Sequence, residues 1–260
     1  MTKLKDIISL LELAAPRSLQ ESYDNSGLQV GFPDAEIGKV LVCLDVTEEI
    51  VAEAAEKGCS LIVSHHPLIF KALKTVSDAT YQQRCVVKAL TGGIAIYSAH
   101  TSLDNAPGGV NYKIASIIGL DNLSFLSPLE GREGGSGVIG SLPEPMSDGD
   151  FVRMLAERFG VKCVRHSRLV GKTVSKVALC GGAGAFLAAD ARNAGADCFV
   201  SGEFHYHDFF EYPGLTLVEL GHYQSEKFTV DLIADLLKST FPALEVLKTE
   251  IDTNPIEYSI

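Results

Sequence analysis

The apolar positions of this chain fall into short runs divided by stretches of mixed character. Val40–Leu44 is one such run, short enough to be a buried strand. An alanine-rich stretch follows, in which Ile50, Val51, Ala54 and Ala55 give a helix an apolar face. Thr47 is placed to cap its start and Gly58 to close its end. A second apolar run, Leu61–Val63, comes next. Strand, helix, strand in this order predicts a βαβ unit with parallel strands. The order returns later, with Val177–Cys180, an alanine-rich stretch closed by Gly195, and Cys198–Val200. Gly93–Tyr97 and Gly214–Val218 predict a third strand in each half, and Gly109–Ile118 and Phe228–Leu237 predict helices. Asp121 to Ser136, with Pro128 and a cluster of glycines, has the composition of a linker.

The two halves also match residue by residue. Residues 39–64 align without a gap to residues 176–201, with eight identities in 26 positions. Lys39, Val40, Cys43 and Ser64 recur as Lys176, Val177, Cys180 and Ser201. A repeat of this kind implies an internal duplication. The expected fold class is α/β, as two similar, duplicated α/β domains, residues 1–124 and 125–260.

Composition narrows the function classes. Of 260 residues, 46% are hydrophobic and 21% charged, a globular composition with ample core material. No apolar run approaches the length of a membrane span, and the start of the chain lacks the apolar stretch of a secretory signal, so the expected location is cytoplasmic, with no membrane partner. The formal charge of −11 disfavours binding to nucleic acid, including by a ring that encircles it. The six cysteines are scattered, with no C-x-x-C pair, so a zinc–thiolate site is not expected.

Histidines and acids gather at predicted strand ends, where ligand sites of open α/β sheets form. His65-His66-Pro67 follows the strand ending at Ser64. Adjacent residues on an extended chain point opposite ways, so both rings reach one site only if the chain turns there. The same pair would also suit a hydrogen-bonded surface loop. After the third strands come His100-Thr-Ser-Leu-Asp104 and His222-Tyr-Gln-Ser-Glu226, both of the form His-x-x-x-acid. Turn-forming residues around His100 predict a compact turn that brings His100 and Asp104 together. His222 and Glu226 share a face if Tyr223 onward is helical, which would equally fit a surface ion pair. Imidazole and carboxylate without thiolate suit zinc, iron, manganese, cobalt or nickel. Three histidines and two acids, His65, His66, His222, Asp104 and Glu226, would supply two divalent ions with positions left open for water.

Five stretches together resemble the NIF-three-like family, whose bacterial members often carry the name GTP cyclohydrolase I type 2 homologue. They are Tyr23-Asp-Asn-Ser-Gly-Leu-Gln-Val-Gly31, Ser64-His-His-Pro67, Ser98-Ala-His-Thr-Ser-Leu-Asp-Asn105, Gly202-Glu-Phe-His-Tyr-His-Asp208 and Gly221-His-Tyr-Gln-Ser-Glu226. The chain departs from the family pattern at Tyr23, commonly Trp, and at Glu203, commonly Asp. The resemblance implies two related α/β domains with a dinuclear metal site between them. It places the ligands on His65, His66, Asp104, His222 and Glu226, which leaves His100 a supporting place behind them. It also implies a homo-oligomer, a toroidal hexamer with sites facing its interior.

Gly181-Gly182-Ala183-Gly184 lacks the last glycine of a dinucleotide fingerprint and reads as a place of tight packing. Gly171-Lys172-Thr173 precedes a strand instead of a helix and is no phosphate loop. Glu203 and His207 follow the repeat-mate of the strand before His65 and are candidates for proton transfer or substrate contact. Two functions fit. One is a metal-dependent hydrolase that uses metal-activated water on a small molecule, a purine nucleotide by the family name. The other is a non-enzymatic metal-handling, sensing or interaction protein.

Overall fold

The computed structural model describes residues 2–259. They form a mixed α/β protein with two mixed sheets and two compact units. One unit gathers the residues up to Leu103 with Thr229–Pro255; the other gathers Asp104–Phe228 with the residues from Ile256 on.

The first unit opens on β1 (Thr2–Lys3) and α1 (Leu4–Ala14), which buries Leu4, Ile7 and Leu11 at helical spacing. Strands β2 (Gly27–Val30) and β3 (Glu36–Ile37) follow, and β3 pairs antiparallel with β1. Then come β4 (Lys39–Cys43), α2 (Glu48–Glu56), β5 (Leu61–Ser64), α3 (Tyr81–Thr91) and β6 (Ala95–Ser98). The expected βαβ unit is there, with β4 parallel to β5 and β5 to β6. Thr47 caps α2 by accepting the Ile50 N–H at 3.3 Å, and Gly58 takes the left-handed φ of +69° just beyond it. Leu41 and Ile62 are fully buried in the core over which α2 and α3 lie, and truncating either would cost about 2–5 kcal/mol.

Helix α4 (His100–Asp104) starts where β6 ends. The segment read as a compact turn is thus a short helix, since its polar residues also suit a first helical turn.

The second unit holds α5 (Val110–Ile118), β7 (Asp121–Pro128), β8 (Gly135–Ser147), α6 (Asp148–Phe159), β9 (Arg165–His166) and β10 (Thr173–Cys180). Next are α7 (Ala188–Asn193), β11 (Cys198–Ser201), α8 (Asp208–Glu211), β12 (Thr216–Glu219) and α9 (His222–Glu226). Strands β10, β11 and β12 are mutually parallel, the same local arrangement as β4, β5 and β6. The stretch expected as a linker is an antiparallel hairpin, β7 with β8. Its glycines are packing devices: a Cβ on Gly140 would meet Leu123 at 2.7 Å and the Asp121 carbonyl at 2.8 Å.

The chain then returns to the first unit through α10 (Thr229–Thr240) and β13 (Glu245–Lys248), which pairs parallel with β4 at the sheet edge. Among the described residues no helix is long and apolar enough to cross a membrane.

Candidate metal centre

In the first unit the chemistry sits at the carboxyl ends of β4, β5 and β6. The backbone past β5 keeps its neighbours: His65 N–H donates to the Cys43 carbonyl at 3.2 Å and His66 N–H to that of Leu44 at 2.9 Å. Ser64 Oγ donates to the His66 carbonyl at 2.8 Å and bonds Ser98 Oγ at 2.8 Å, which fixes the turn there. Both rings end up together, with centroids 4.8 Å apart. The His100 ring joins them, 5.6 Å from His65 and 5.7 Å from His66. His65 is wholly buried.

Each outer histidine of this trio is tied to a carboxylate through Nδ1. His66 Nδ1 bonds Asp45 Oδ1 at 2.7 Å, and His100 Nδ1 bonds Asp24 Oδ1 at 2.6 Å. Asp45 Oδ2 is held in turn by Thr253 Oγ1 at 2.8 Å. Asp24 accepts from Ser26 Oγ at 2.7 Å, from Thr101 N–H at 3.2 Å and from Thr101 Oγ1. Burial works to raise the pKa of both acids. The hydrogen bonds from His100, Thr101 and Ser26, with the His100 charge, outweigh it and hold Asp24 well below the usual carboxylate range. The His66 hydrogen bond and charge, with Thr253, do the same for Asp45. His100 also lies at φ +36°, a left-handed conformation that costs a non-glycine residue about 1–2 kcal/mol.

The second unit builds a third pair of this kind. His222 Nδ1 bonds Glu203 Oε1 at 2.8 Å, and His222 Nε2 faces Glu226 Oε2 at 3.1 Å across one turn of α9. Metal–ligand bonds of about 2.0–2.2 Å put neighbouring ligand atoms about 3 Å apart, so this pair is spaced as two ligands of one ion. Gly182 makes the space, at φ +56°: a Cβ there would overlap the Glu226 carboxylate and lie 3.2 Å from His222 Nε2. Gly182 N–H donates to Ser225 Oγ at 3.0 Å, and Ser225 Oγ donates to the His222 carbonyl at 2.8 Å. The glycine-rich stretch therefore serves the packing expected of it and seats α9. Asn111 Nδ2 donates to the Asp104 carbonyl at 3.0 Å, and Asn111 Oδ1 accepts the Gly181 N–H at 2.9 Å.

His65 with His66 in the first unit, and His222 with Glu226 in the second, are each groupings of a kind that suggests a metal site. The donor set fits a metal: it is imidazole and carboxylate, and a carboxylate on Nδ1 makes Nε2 the ring nitrogen suited to a metal in His66, His100 and His222. Cys43, at the end of β4, is fully buried, and burial raises its thiol far above its usual pKa, with Asp45 and Glu53 adding to the rise.

His207 is exposed, and its ring packs against Tyr206 at 5.3 Å and Phe210 at 6.4 Å. Sequence reasoning gave no role to Asp24 and Asp45. Asp45 lies two residues past the end of β4, as His66 lies past β5 and His100 past β6.

A family profile described as Duf34/NIF3 (NGG1p interacting factor 3) matches residues 2–255. A Clostridium perfringens protein named GTP cyclohydrolase 1 type 2 homolog is 32% identical over 261 residues, 98% of this chain and 99% of that protein. A Helicobacter pylori protein named GTP cyclohydrolase 1 type 2 is 31% identical over 242 residues, 92% of this chain and 93% of that protein. The crystal structure of a Bacillus cereus protein related to NIF3 superposes with a TM-score of 0.90 at 25% identity, over 99% of each chain.

Proposed function

The chain belongs to the Duf34/NIF3 family, and from that membership and the wiring of its histidines we propose that it is a metal-dependent hydrolase with two divalent ions per chain. His65, His66, Asp104, His222 and Glu226 are the ligands in this reading. The observation that carries it is the repeated carboxylate on histidine Nδ1: Asp45 on His66, Asp24 on His100 and Glu203 on His222. Such a partner fixes the tautomer and the direction of the ring and makes the other nitrogen a better ligand. A surface histidine gains little from it.

Divalent ions held there would supply Lewis acidity, which makes water a nucleophile near neutral pH and polarises an electrophilic carbon or phosphorus. The protein's own part is positioning. Asp45 and Glu203 aim His66 and His222, which gives Glu203 an orienting role in place of proton transfer. Asp24 aims His100, which stands behind the ligands. Gly182 and Ser225 set the first turn of α9, where His222 and Glu226 lie one above the other. The names of the relatives make a purine nucleotide the first substrate to try. The family reading also carries a duplicated origin for the two halves and assembly into a closed hexameric ring.

The test is metal analysis of the anaerobically purified protein, followed by GTP consumption in chelated and in zinc-, manganese- or iron-loaded protein. Two ions per chain with turnover that is lost on chelation and restored by metal is the expected result. Loaded protein that consumes no GTP and no other metabolite in an unbiased screen would leave a metal-handling role in its place.

A further inference from the structure

After β13 the chain continues along the first unit as a strap, residues 249–255. Thr249 N–H donates to the Val42 carbonyl at 2.9 Å, and Ile251 packs against the core of that unit. The strap is clasped to α2 by Glu53, which is buried. One carboxylate oxygen of Glu53 accepts from Thr249 Oγ1, and the other accepts the Glu250 N–H at 3.0 Å. Lys57 bridges Glu53 at 2.7 Å and Glu250 at 3.0 Å. Further along the strap, Thr253 Oγ1 donates to Asp45 Oδ2 at 2.8 Å, across 208 residues of chain. Asp45 gives its other oxygen to His66 Nδ1. Beside this pair lies a cavity of about 550 Å³, lined by Asp45, His66, Leu68 and Tyr81 and, from the strap, by Thr253 and Pro255. The bond from Thr253 to Asp45 thus borders open space, and the clasp at Glu53 is what keeps the strap beside it.

Resting on the reading of a metal centre at His66, we propose that Thr253 is a positioning residue of that centre, and that the strap, through its clasp at Glu53, holds the His66 ring and so sets its metal affinity. The terminal torsion of an aspartate is broad, so a carboxylate bonded through one oxygen swings about its axis. A hydroxyl on Oδ2 fixes that rotation and keeps Oδ1 aimed at the ring. Asp24 divides its oxygens in the same way: Oδ1 bonds His100, and Oδ2 accepts from Ser26 and Thr101. Those two hydroxyls are near neighbours of Asp24 and His100 in the chain and are placed with them. The hydroxyl on Asp45 comes from a distant segment and is present only while the strap is docked. Glu53, Lys57, Thr249 and Glu250, which make the clasp, are not proposed ligands, so the clasp acts on the metal through Thr253 and Asp45.

The experiment measures the zinc affinity of the full-length protein by competition with a chromophoric chelator. Thr253→Val, which keeps the shape and removes the hydroxyl, should bind about tenfold more weakly, the low end for a partner standing behind a ligand. Thr253→Ser, which keeps the hydroxyl, should bind as the wild type does. Thr249→Val and Glu53→Ala loosen the clasp and should weaken binding in the same direction. Thr249→Val leaves the Glu53–Lys57 charge pair in place, so it reads the clasp even where Glu53→Ala does not fold. Adding Thr253→Val to a clasp variant should cost little more, because the hydroxyl has already left Asp45. Unchanged affinity in Thr253→Val or in the clasp variants, failure of Thr253→Ser to bind normally, or additive losses in the double variants would overturn the proposal. Nitrogen NMR of the histidine rings in metal-free protein separates the two readings. An aspartate on Nδ1 keeps the proton on that nitrogen, so His66 should show one tautomer in wild type and Thr253→Ser and a mixture in Thr253→Val. Wild type that takes up no zinc sinks the metal centre, while that tautomer pattern in the same protein keeps the strap's hold on His66. A single tautomer in all three proteins removes the hold.

Discussion

Asp24 holds His100 by Nδ1 at 2.6 Å although 76 residues separate them along the chain, and the aspartate side chain is completely shielded from solvent. The bond engages Nδ1 of a ring whose centroid lies 5.6 Å from that of His65 and 5.7 Å from that of His66. It also fastens a residue whose φ of +36° is unfavourable on its own.

Replacing Asp24 by Ala leaves His100, Ser26 and Thr101 without their shared acceptor. Stranded donors of this kind cost about 1–3 kcal/mol, so urea denaturation should show a loss of about 2–3 kcal/mol and Tm should fall by roughly 5–10 °C. Asp24→Asn, which keeps the shape and some of the bonds, should lose less. Equal stability of Asp24→Ala and wild type would show that the network is not formed in solution.

Removing the carboxylates behind the proposed ligands should weaken metal binding without removing a ligand. Asp45→Ala and Glu203→Ala are each expected to lower affinity by roughly 10–100-fold, read by competition with a chromophoric chelator. His66→Ala should lose more. Unchanged affinity in both carboxylate variants would separate the Nδ1 pairs from metal binding.

Gly182→Ala tests the seat of α9. Its methyl group would press on the Glu226 carboxylate, and the residue must keep φ at +56°. The left-handed conformation alone costs about 1 kcal/mol or more for alanine. Lower Tm together with reduced metal content is the expected outcome. Gly171→Ala is the control, because Gly171 is also left-handed at φ +73° but has open space where its Cβ would stand. It should lose stability and keep its metal.

Asp148 gives a pH signature away from the metal centre. Its side chain accepts the N–H groups of Val170 at 2.9 Å, Gly171 at 3.1 Å and Gly149 at 2.8 Å, and these bonds lower its pKa. A carboxylate with a depressed folded-state pKa stabilises fully above its unfolded value of about 3.9, and the contribution is lost as pH falls through the folded value. The stability gap between wild type and Asp148→Asn should therefore be constant from pH 5 to 7 and close in acid below about pH 4. A gap that does not change with pH would show that the charge is not what the three amides recognise.

Assembly is read by light scattering. The proposed ring predicts a particle near six times the 27.9 kDa chain. It should survive chelation, since the proposed ligands all come from one chain. A monomer at micromolar concentration defeats the ring.

What the sequence by itself determined is local. Apolar runs of strand length, Thr47 before a helix and Gly58 after it specified the β4–α2–β5 unit, because side-chain periodicity and capping act within a few residues of the chain. The strand-end histidines were legible for the same reason: a parallel strand that ends in a loop puts its next residues at the sheet's ligand-binding edge. The hairpin of β7 and β8 was not legible. Its glycines carry no apolar pattern, and their purpose, close approach of a partner strand at Gly140, exists only once the strands are paired. Nor could local pattern show that β13 closes the edge of the first sheet beside β4, some 200 residues earlier. The carboxylates behind His66, His100 and His222 were decided by tertiary structure alone. Asp45, Asp24 and Glu203 lie 21, 76 and 19 residues from the rings they orient. Hydrogen bonds depend on distance and angle in space, and no spacing rule along the chain encodes them at such separations.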